Sequence, residues 1–196
     1  MVRVWDLLVR FFPWSVVVAV LICFVTEDDA LLLHVVAGYY VAGLIGLRIL
    51  WGFVGPRHAR FGDFLHPPGT VGAYARDLIR FRSRRYLGHS PAGGYMILGI
   101  MIATAALVWT GHTLYVGEEA QLAASTASFS LSPAQAQEED DEDDERGEAG
   151  EELHEALANF LLLLIAVHVG GVLWASYAHR ENLAWSMVTG DKRKSE

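Results

Sequence analysis

The stretch LHEALANFLLLLIAVHVGGVLWASYA occupies residues 153–178 and contains two histidines, His154 and His168. At roughly 100° per residue, fourteen steps along an α-helix return nearly to the same face, so both imidazoles project from one stripe. At about 1.5 Å per residue, they are separated by roughly 21 Å along the helix axis. Ionisable side chains inside an apolar span are costly and therefore indicate a functional site. Two histidines placed towards opposite membrane surfaces suit two haem irons stacked across a bilayer.

Four apolar stretches give the chain the composition of a membrane protein. Hydrophobic residues make up 53% of the 196, and the mean hydropathy is +0.28. A helix needs about 20 apolar residues to cross a bilayer, and the four stretches reach or approach that length. We therefore predict an all-α fold, an integral membrane four-helix bundle that forms one domain over residues 1–196. The predicted helices cover about residues 5–26, 31–54, 93–113 and 152–178.

Basic residues lie on one side of the predicted bundle. Of the fifteen Lys and Arg residues, only Arg146 falls in the connection between helices 1 and 2 or between helices 3 and 4. The positive-inside rule places both termini and the loop between helices 2 and 3 in the cytoplasm. The acidic run Glu138–Glu145 then lies on the opposite side, within residues 118–151. We predict that this segment is an acidic, flexible periplasmic loop.

The two charged loops suggest different partners. The acidic loop is either a solubilising insert or a negative docking surface for a basic periplasmic redox protein such as a soluble cytochrome. In the cytoplasmic loop, residues 71–82 can form an amphipathic helix whose arginines bind membrane lipid head groups. No nucleic-acid partner is predicted, and the sequence leaves open whether the chain forms a homodimer.

Histidines supply the candidate iron ligands. His34, near the start of helix 2, and His154, near the start of helix 4, can reach the same depth, and Gly38 leaves room for a flat macrocycle. His168 lies deeper in the predicted bundle, and a haem there would need a second ligand at the same depth. Arg48 follows His34 by fourteen residues on the same face, and its guanidinium could pair with a haem propionate. The single cysteine, Cys23, excludes a C-x-x-C-H attachment site, so a haem here would be b-type.

The remaining histidines have less specific interpretations. His112 ends helix 3 on the outer side, where it is either a hydrated interfacial residue or a contact to a quinone or a propionate. The others lie among the charges of the cytoplasmic loops and are interpreted as surface residues: His58, His66, His89 and His179.

Several segments together resemble the bacterial cytochrome b561 family, which includes the b-type cytochrome subunits of nickel–iron hydrogenases. The resemblance covers nearly the whole chain apart from the acidic insert. It is carried by VWDLLVRFFPW (4–14), His34 followed by GYY (38–40), LRILWGFVGPRHARFGDF (47–64), YLGHSPAGG (86–94), HVGGV (168–172) and HRENLAWSMVTGDKRK (179–194).

The resemblance implies a four-helix membrane bundle that holds two b haems through one histidine on helix 1, one on helix 2 and two on helix 4. His34, His154 and His168 match three of these ligands. Where the family has the helix-1 histidine, this chain has Pro13, which cannot ligate iron. One haem is therefore expected on His34 and His154. For the second site three outcomes stay open: no haem, a five-coordinate haem on His168, or a ligand from the cytoplasmic loop such as His58, His66 or His89.

The function implied by the resemblance is electron transfer in the bacterial inner (cytoplasmic) membrane. The electrons would pass between the quinone pool and a periplasmic cytochrome or a hydrogenase-like redox protein. The residues themselves form no catalytic triad, phosphate loop or clustered metal site, so no bond-making chemistry is assigned. Two alternatives belong to other classes: a small-molecule quinone oxidoreductase with an open haem site, and a redox-silent membrane anchor.

Overall fold

The computed structural model describes the backbone of residues 1–26, 30–127 and 133–193, and the side chains of residues 1–26, 30–117 and 147–193. The structure is about 80% helical, which confirms the prediction of an all-α fold. In chain order the elements are β1 (Val2–Arg3), α1 (Leu7–Val25), α2 (Leu31–Val54), a 3₁₀ turn (Arg57–Ala59), α3 (Phe61–Phe64), α4 (Pro68–Ile79), α5 (Pro91–Ala127), α6 (Pro133–His179), α7 (Leu183–Thr189) and β2 (Asp191–Lys192).

Four of the described helices are long and apolar enough to cross a membrane. These spans are Leu7–Val25, Leu31–Val54, Pro91–Gly117 and Gly147–His179. Their outer faces leave large apolar side chains exposed, for example Leu21, Phe53, Trp109 and Leu173. Exposed apolar surface of this extent is normal in lipid and costly in water. The membrane four-helix bundle predicted from hydropathy is therefore confirmed.

The spanning helices pack in chain order, α1 on α2, α2 on α5 and α5 on α6. A small apolar cluster joins the first three of them, formed by Ala19, Val41, Ile45 and Met101. Helix α1 begins at a clear cap, because the Asp6 carboxylate accepts hydrogen bonds from the backbone amides of Leu8 and Val9 at 2.9 and 3.1 Å.

The two ends of the described chain are joined. Strands β1 and β2 pair antiparallel, with Val2 opposite Lys192 and Arg3 opposite Asp191. The carbonyl oxygen of Gly190 accepts hydrogen bonds from the amides of Val4 and Trp5. Both ends therefore lie on the same side of the bundle.

The last two spanning helices run past the predicted membrane segments. Helical backbone continues through residues 118–127 and 133–151, most of the segment that the sequence predicts to be a flexible loop. The Ala, Gln and Glu residues that fill it are good helix formers. Residues 128–132, and the side chains of the acidic run 138–145, lie outside the described residues.

Candidate haem-binding site

His34 and His154 face each other across the bundle. His34 lies in the first turn of α2 and His154 on α6, and their ring centroids are 6.2 Å apart with the planes inclined at 59°. The structure thus brings together the two histidines that the sequence predicts at equal depth. The gap between two rings at this spacing can hold one metal atom between them.

Each of the two rings is oriented by a hydrogen bond at Nδ1. Nδ1 of His34 lies 2.9 Å from the carbonyl oxygen of Cys23 on α1. A carbonyl oxygen only accepts, so Nδ1 carries the proton and Nε2 is the nitrogen that can bind a metal. Outer hydrogen bonds of this kind fix the tautomer and orientation of metal-binding histidines.

The His154 ring is held in the same manner from α5. Its Nδ1 lies 2.9 Å from Thr110 Oγ1, whose own hydroxyl proton is donated to the Leu107 carbonyl at 3.0 Å. The threonine oxygen therefore accepts from His154 Nδ1, and Nε2 again remains as the basic nitrogen. Both rings are thus held at Nδ1 by a neighbouring helix, as in histidines that bind a metal through Nε2.

A cleft surrounds the two rings. Its empty volume is about 800 Å³, including the part that is open to the exterior, and its lining is largely apolar. A side chain at Gly111 would place a Cβ 3.0 Å from Cε1 of His154, whereas a Cβ at Gly38 would meet nothing within 4 Å. The glycines thus keep the space beside the ligands open. The other wall residues include Val20, Val35, Thr104, Leu107, Ala158 and Leu161.

This donor set fits a haem better than a bare metal ion. Among the described residues, no group of three or more His, Cys, Asp or Glu side chains comes together as a metal site. His34 and His154, beside an apolar cleft, would hold a b haem, whose macrocycle would supply the remaining nitrogen ligands.

A hydrogen-bonded pair lies at the edge of this cleft. Tyr39 Oη and Nδ1 of His112 are 2.8 Å apart, and both residues line the cleft while the pair is exposed. The Trp109 ring packs against His112 at a centroid distance of 6.5 Å and is itself 68% exposed. His112 is therefore a partnered residue at the apolar surface, directly beside the histidine pair.

Arg48 and His168, also singled out from the sequence, lie elsewhere in the bundle. Arg48 is only 3% exposed, and its guanidinium stacks over the rings of Phe61 and Phe64 at 5.3 and 5.9 Å. Its Nη1 is buried without a hydrogen-bond partner among the described residues. A buried cationic group in this condition is costly, and an anion such as a propionate would relieve the cost.

Pro13 lies within α1 and offers no donor to iron at the position where the resemblance implies a histidine. His168 on α6 is partly exposed and lies within electrostatic range of His89, in the turn before α5.

The interpretation of His89 as a surface residue is wrong. Its ring packs between Trp5 and Phe64, at centroid distances of 4.5 and 4.9 Å, and its Nδ1 is buried without a partner among the described residues. Burial, and then the positive charges of Arg48 and Lys192, lower the pKa of His89 to about 3. The imidazole is therefore neutral. No pattern in the sequence indicates this packing, because the covering rings come from distant segments.

The other loop histidines have polar partners of their own. Nδ1 of His58 lies 2.9 Å from a carboxylate oxygen of Asp63. Burial raises the pKa of Asp63, but hydrogen bonds from His58 and Arg57 outweigh burial and lower it below its usual value. His66 donates from Nδ1 to the Phe64 carbonyl at 2.9 Å, and His179 lies 3.4 Å from Ser83 Oγ.

The family model for prokaryotic cytochrome b561 matches residues 4–190 of the chain. The chain therefore belongs to the prokaryotic cytochrome b561 family. It is a multi-pass membrane protein of a family that binds b-type haem and transfers electrons. No curated protein and no solved structure shows a significant match to it.

Proposed function

We propose that this chain carries electrons between the quinone pool and a redox protein on the outer face of the bacterial inner membrane, through a b haem held by His34 and His154. The observation that carries the proposal is the geometry of this pair. The rings lie 6.2 Å apart, and each is oriented through Nδ1 by a separate helix. When bound, the haem supplies one-electron redox chemistry at a potential set by its axial ligands and surroundings.

The protein residues then have separate roles in this function. His34 and His154 would bind the iron, while the Cys23 carbonyl and the Thr110 hydroxyl hold their rings in place. The apolar walls exclude water, which favours retention of the macrocycle and tunes its potential. A haem held by both imidazoles would transfer electrons without offering an open coordination position to a small substrate.

Support for a quinone comes from the Tyr39–His112 pair. A quinol must release protons as it gives up electrons, and an imidazole hydrogen-bonded to a phenol is a suitable proton acceptor. The pair is exposed beside the cleft and next to Trp109, where a lipid-soluble molecule can approach it. We assign the quinone head group to this position.

The distribution of basic and acidic residues supports the proposed orientation in the membrane and the proposed redox partner. Basic residues cluster in the loop between α2 and α5 and after α6, so the positive-inside rule places that side and both termini in the cytoplasm. The acidic run 138–145 would then face the periplasm and attract a basic redox partner such as a soluble cytochrome.

The test is the haem content and spectrum of the purified protein. The wild type should contain low-spin b haem that dithionite reduces. His34→Ala and His154→Ala should each abolish the haem of this site, while His58→Ala, on the cytoplasmic loop, should retain it. A wild-type protein without haem would instead support a redox-silent anchor, and a high-spin haem that is lost with His34 would support an open enzymatic site.

A further inference from the structure

We propose that this chain has a binding site for one anionic phospholipid, in the cleft between the end of α4 and the turn that joins α6 to α7. The phosphate would lie against Arg180, and the acyl chains would lie along the aromatic rings of Phe81 and Tyr177. The site needs no haem, so the proposal stands or falls separately from the proposed function.

The cleft is wide and changes character along its length. Its empty volume is about 1540 Å³, including the part that is open to the exterior. Phe81, just after α4, forms one wall, and the end of α6 with the following turn forms the other. Leu173 and Tyr177 belong to the spanning part of α6, whereas Arg180 and Asn182 follow its end. The lining therefore passes from apolar to polar in the same order as the acyl chains and the phosphate of a phospholipid.

Three aromatic rings beside the cleft join the ends of α4 and α6. The Phe81 ring contacts those of Trp174 and Tyr177 at centroid distances of 5.2 and 6.0 Å. The Trp174 indole also donates a hydrogen bond to the Leu78 carbonyl at 3.4 Å. The cluster is held in place by these contacts, yet its three residues are 43–73% exposed. Trp and Tyr at the end of a spanning helix are typical of the membrane interface, where acyl chains and glycerol cover them.

Basic residues lie at the polar end of the cleft. Arg180 lines it, and Arg82 directly follows Phe81 in the chain; both arginines are exposed. Neither forms an ion pair with another residue in the described part of the chain. The acidic lining residue is Glu181, and Arg85 binds both of its carboxylate oxygens, at 2.7 and 2.8 Å. The remaining positive charge beside the rings favours an anionic head group.

Two residues that line the cleft have a backbone conformation that ordinarily requires glycine. Phe81 and Arg180 have φ angles of 55° and 49°, and no other described residue except glycine has a positive φ. Each ends its helix in a Schellman cap, in which the amide of Phe81 donates to the Leu78 carbonyl and that of Arg180 to the Tyr177 carbonyl. Bulky residues are strained in this region, and such strain persists where a ligand site requires the side chain.

The strained caps allow each side chain to be removed while the fold is kept. Arg180→Gly places the residue that the cap prefers, so this variant should melt in detergent at or above the wild-type temperature. Phe81→Gly exchanges ring contacts for relief of strain and should melt close to the wild type. Loss of lipid binding in these variants is then not a result of misfolding.

Native mass spectrometry of the detergent-solubilised protein, titrated with phosphatidylglycerol, counts bound lipids and reads the oligomeric state. The wild type should bind one phosphatidylglycerol roughly tenfold more tightly than phosphatidylcholine with the same acyl chains, since two arginines act on its charge. Arg180→Gly should lower the affinity for phosphatidylglycerol by about fivefold, the ordinary contribution of one arginine, and leave that for phosphatidylcholine unchanged. Phe81→Gly should lower the affinity for both lipids.

Arg57→Gln is the matched control. Arg57 is an exposed arginine of the same loop between α2 and α5, but it pairs with Asp63 at 3.2 Å and does not line the cleft. Its removal lowers the net positive charge of the loop by the same amount as the loss of Arg82 would, and the affinity for phosphatidylglycerol should stay at the wild-type value.

Three results would overturn the proposal. Equal wild-type affinities for the two lipids would exclude recognition of an anionic head group. Equal effects of Arg180→Gly and Arg57→Gln would show that charge acts over the whole surface and not at a site. A wild-type dimer that dissociates in Phe81→Gly would assign the cleft to a second copy of the chain. A protein that binds the lipid but no haem would overturn the proposed function alone.

Discussion

The ammonium group of Lys192 lies 5.2 Å from the centre of the Trp5 ring, so the last described strand covers a side chain from the segment between β1 and α1. Both residues are almost completely buried, at 6% and 2% exposure. Because Trp5 in turn packs on His89 at 4.5 Å, three distant segments determine the surroundings of one imidazole. Four predictions follow from this packing and from the outer histidine pair.

Because of Lys192, the free energy of unfolding should change with pH in the alkaline range. Burial lowers its pKa from 10.5 to about 8. Between about pH 8 and 10.5 the unfolded chain binds more protons at this position than the folded one, so stability should rise with pH, by at most about 3 kcal/mol. Thermal unfolding in detergent of the wild type and of Lys192→Met measures the effect. The difference between them should shift in favour of the wild type across this window and stay constant below it.

Thr110→Val should weaken haem binding by His34 and His154 without abolishing it. The variant removes the acceptor at 2.9 Å that orients His154, and loss of such an outer partner typically costs about 10–100-fold in metal-centre affinity. Haem titration of the apoprotein provides the measurement. Thr113→Val is the control, because that hydroxyl donates to the Thr110 backbone carbonyl on its own helix and not to either histidine of the pair. Equal affinities in the two variants would contradict the role of Thr110.

Gly111→Val should prevent haem binding between His34 and His154 by a steric clash. A Cβ there lies 3.0 Å from Cε1 of His154, tighter than ordinary contact, and the branched side chain would displace the ring. The expected result is loss of the low-spin signal that depends on His34, with unchanged helical circular dichroism. Gly99→Val is the control on the same helix, since a Cβ at that position meets nothing within 4 Å.

His112→Ala should slow reduction by a quinol without changing the haem spectrum. If His112 accepts a quinol proton, its loss should lower the rate by about 100-fold or more, a typical contribution of general-base catalysis. Stopped-flow reduction by a soluble quinol analogue tests this, with dithionite reduction as the reference. Tyr39→Phe, which removes the hydroxyl 2.8 Å from His112, should show a smaller loss. Unchanged quinol kinetics in both variants would place the quinone elsewhere.

The sequence predicted the parts of this structure that depend on local periodicity. The hydropathy of the four spans predicted the bundle, and the positions of His34 and His154 near the starts of parallel helices predicted their approach. These features require only regular helix geometry and the thickness of a bilayer.

Contacts between distant segments were not predictable in the same way. His89 looks like a surface loop residue until Trp5 and Phe64 cover it. The unpaired Nη1 of Arg48 likewise depends on how α3 folds beneath α2. Helices α5 and α6 also extend beyond the predicted membrane segments, because helix-forming residues continue after the apolar runs end.

The pairing of β1 with β2 has a consequence for biosynthesis. The His34–His154 pair is complete once α6 has been inserted, but Trp5 is covered only after residues 190–192 have been synthesised and have met residues 2–5. Translation therefore sets an order of maturation in which the cleft lined by His34 and His154 can bind its haem first. The packing of Trp5 on His89 is completed last, when the first and last described strands pair.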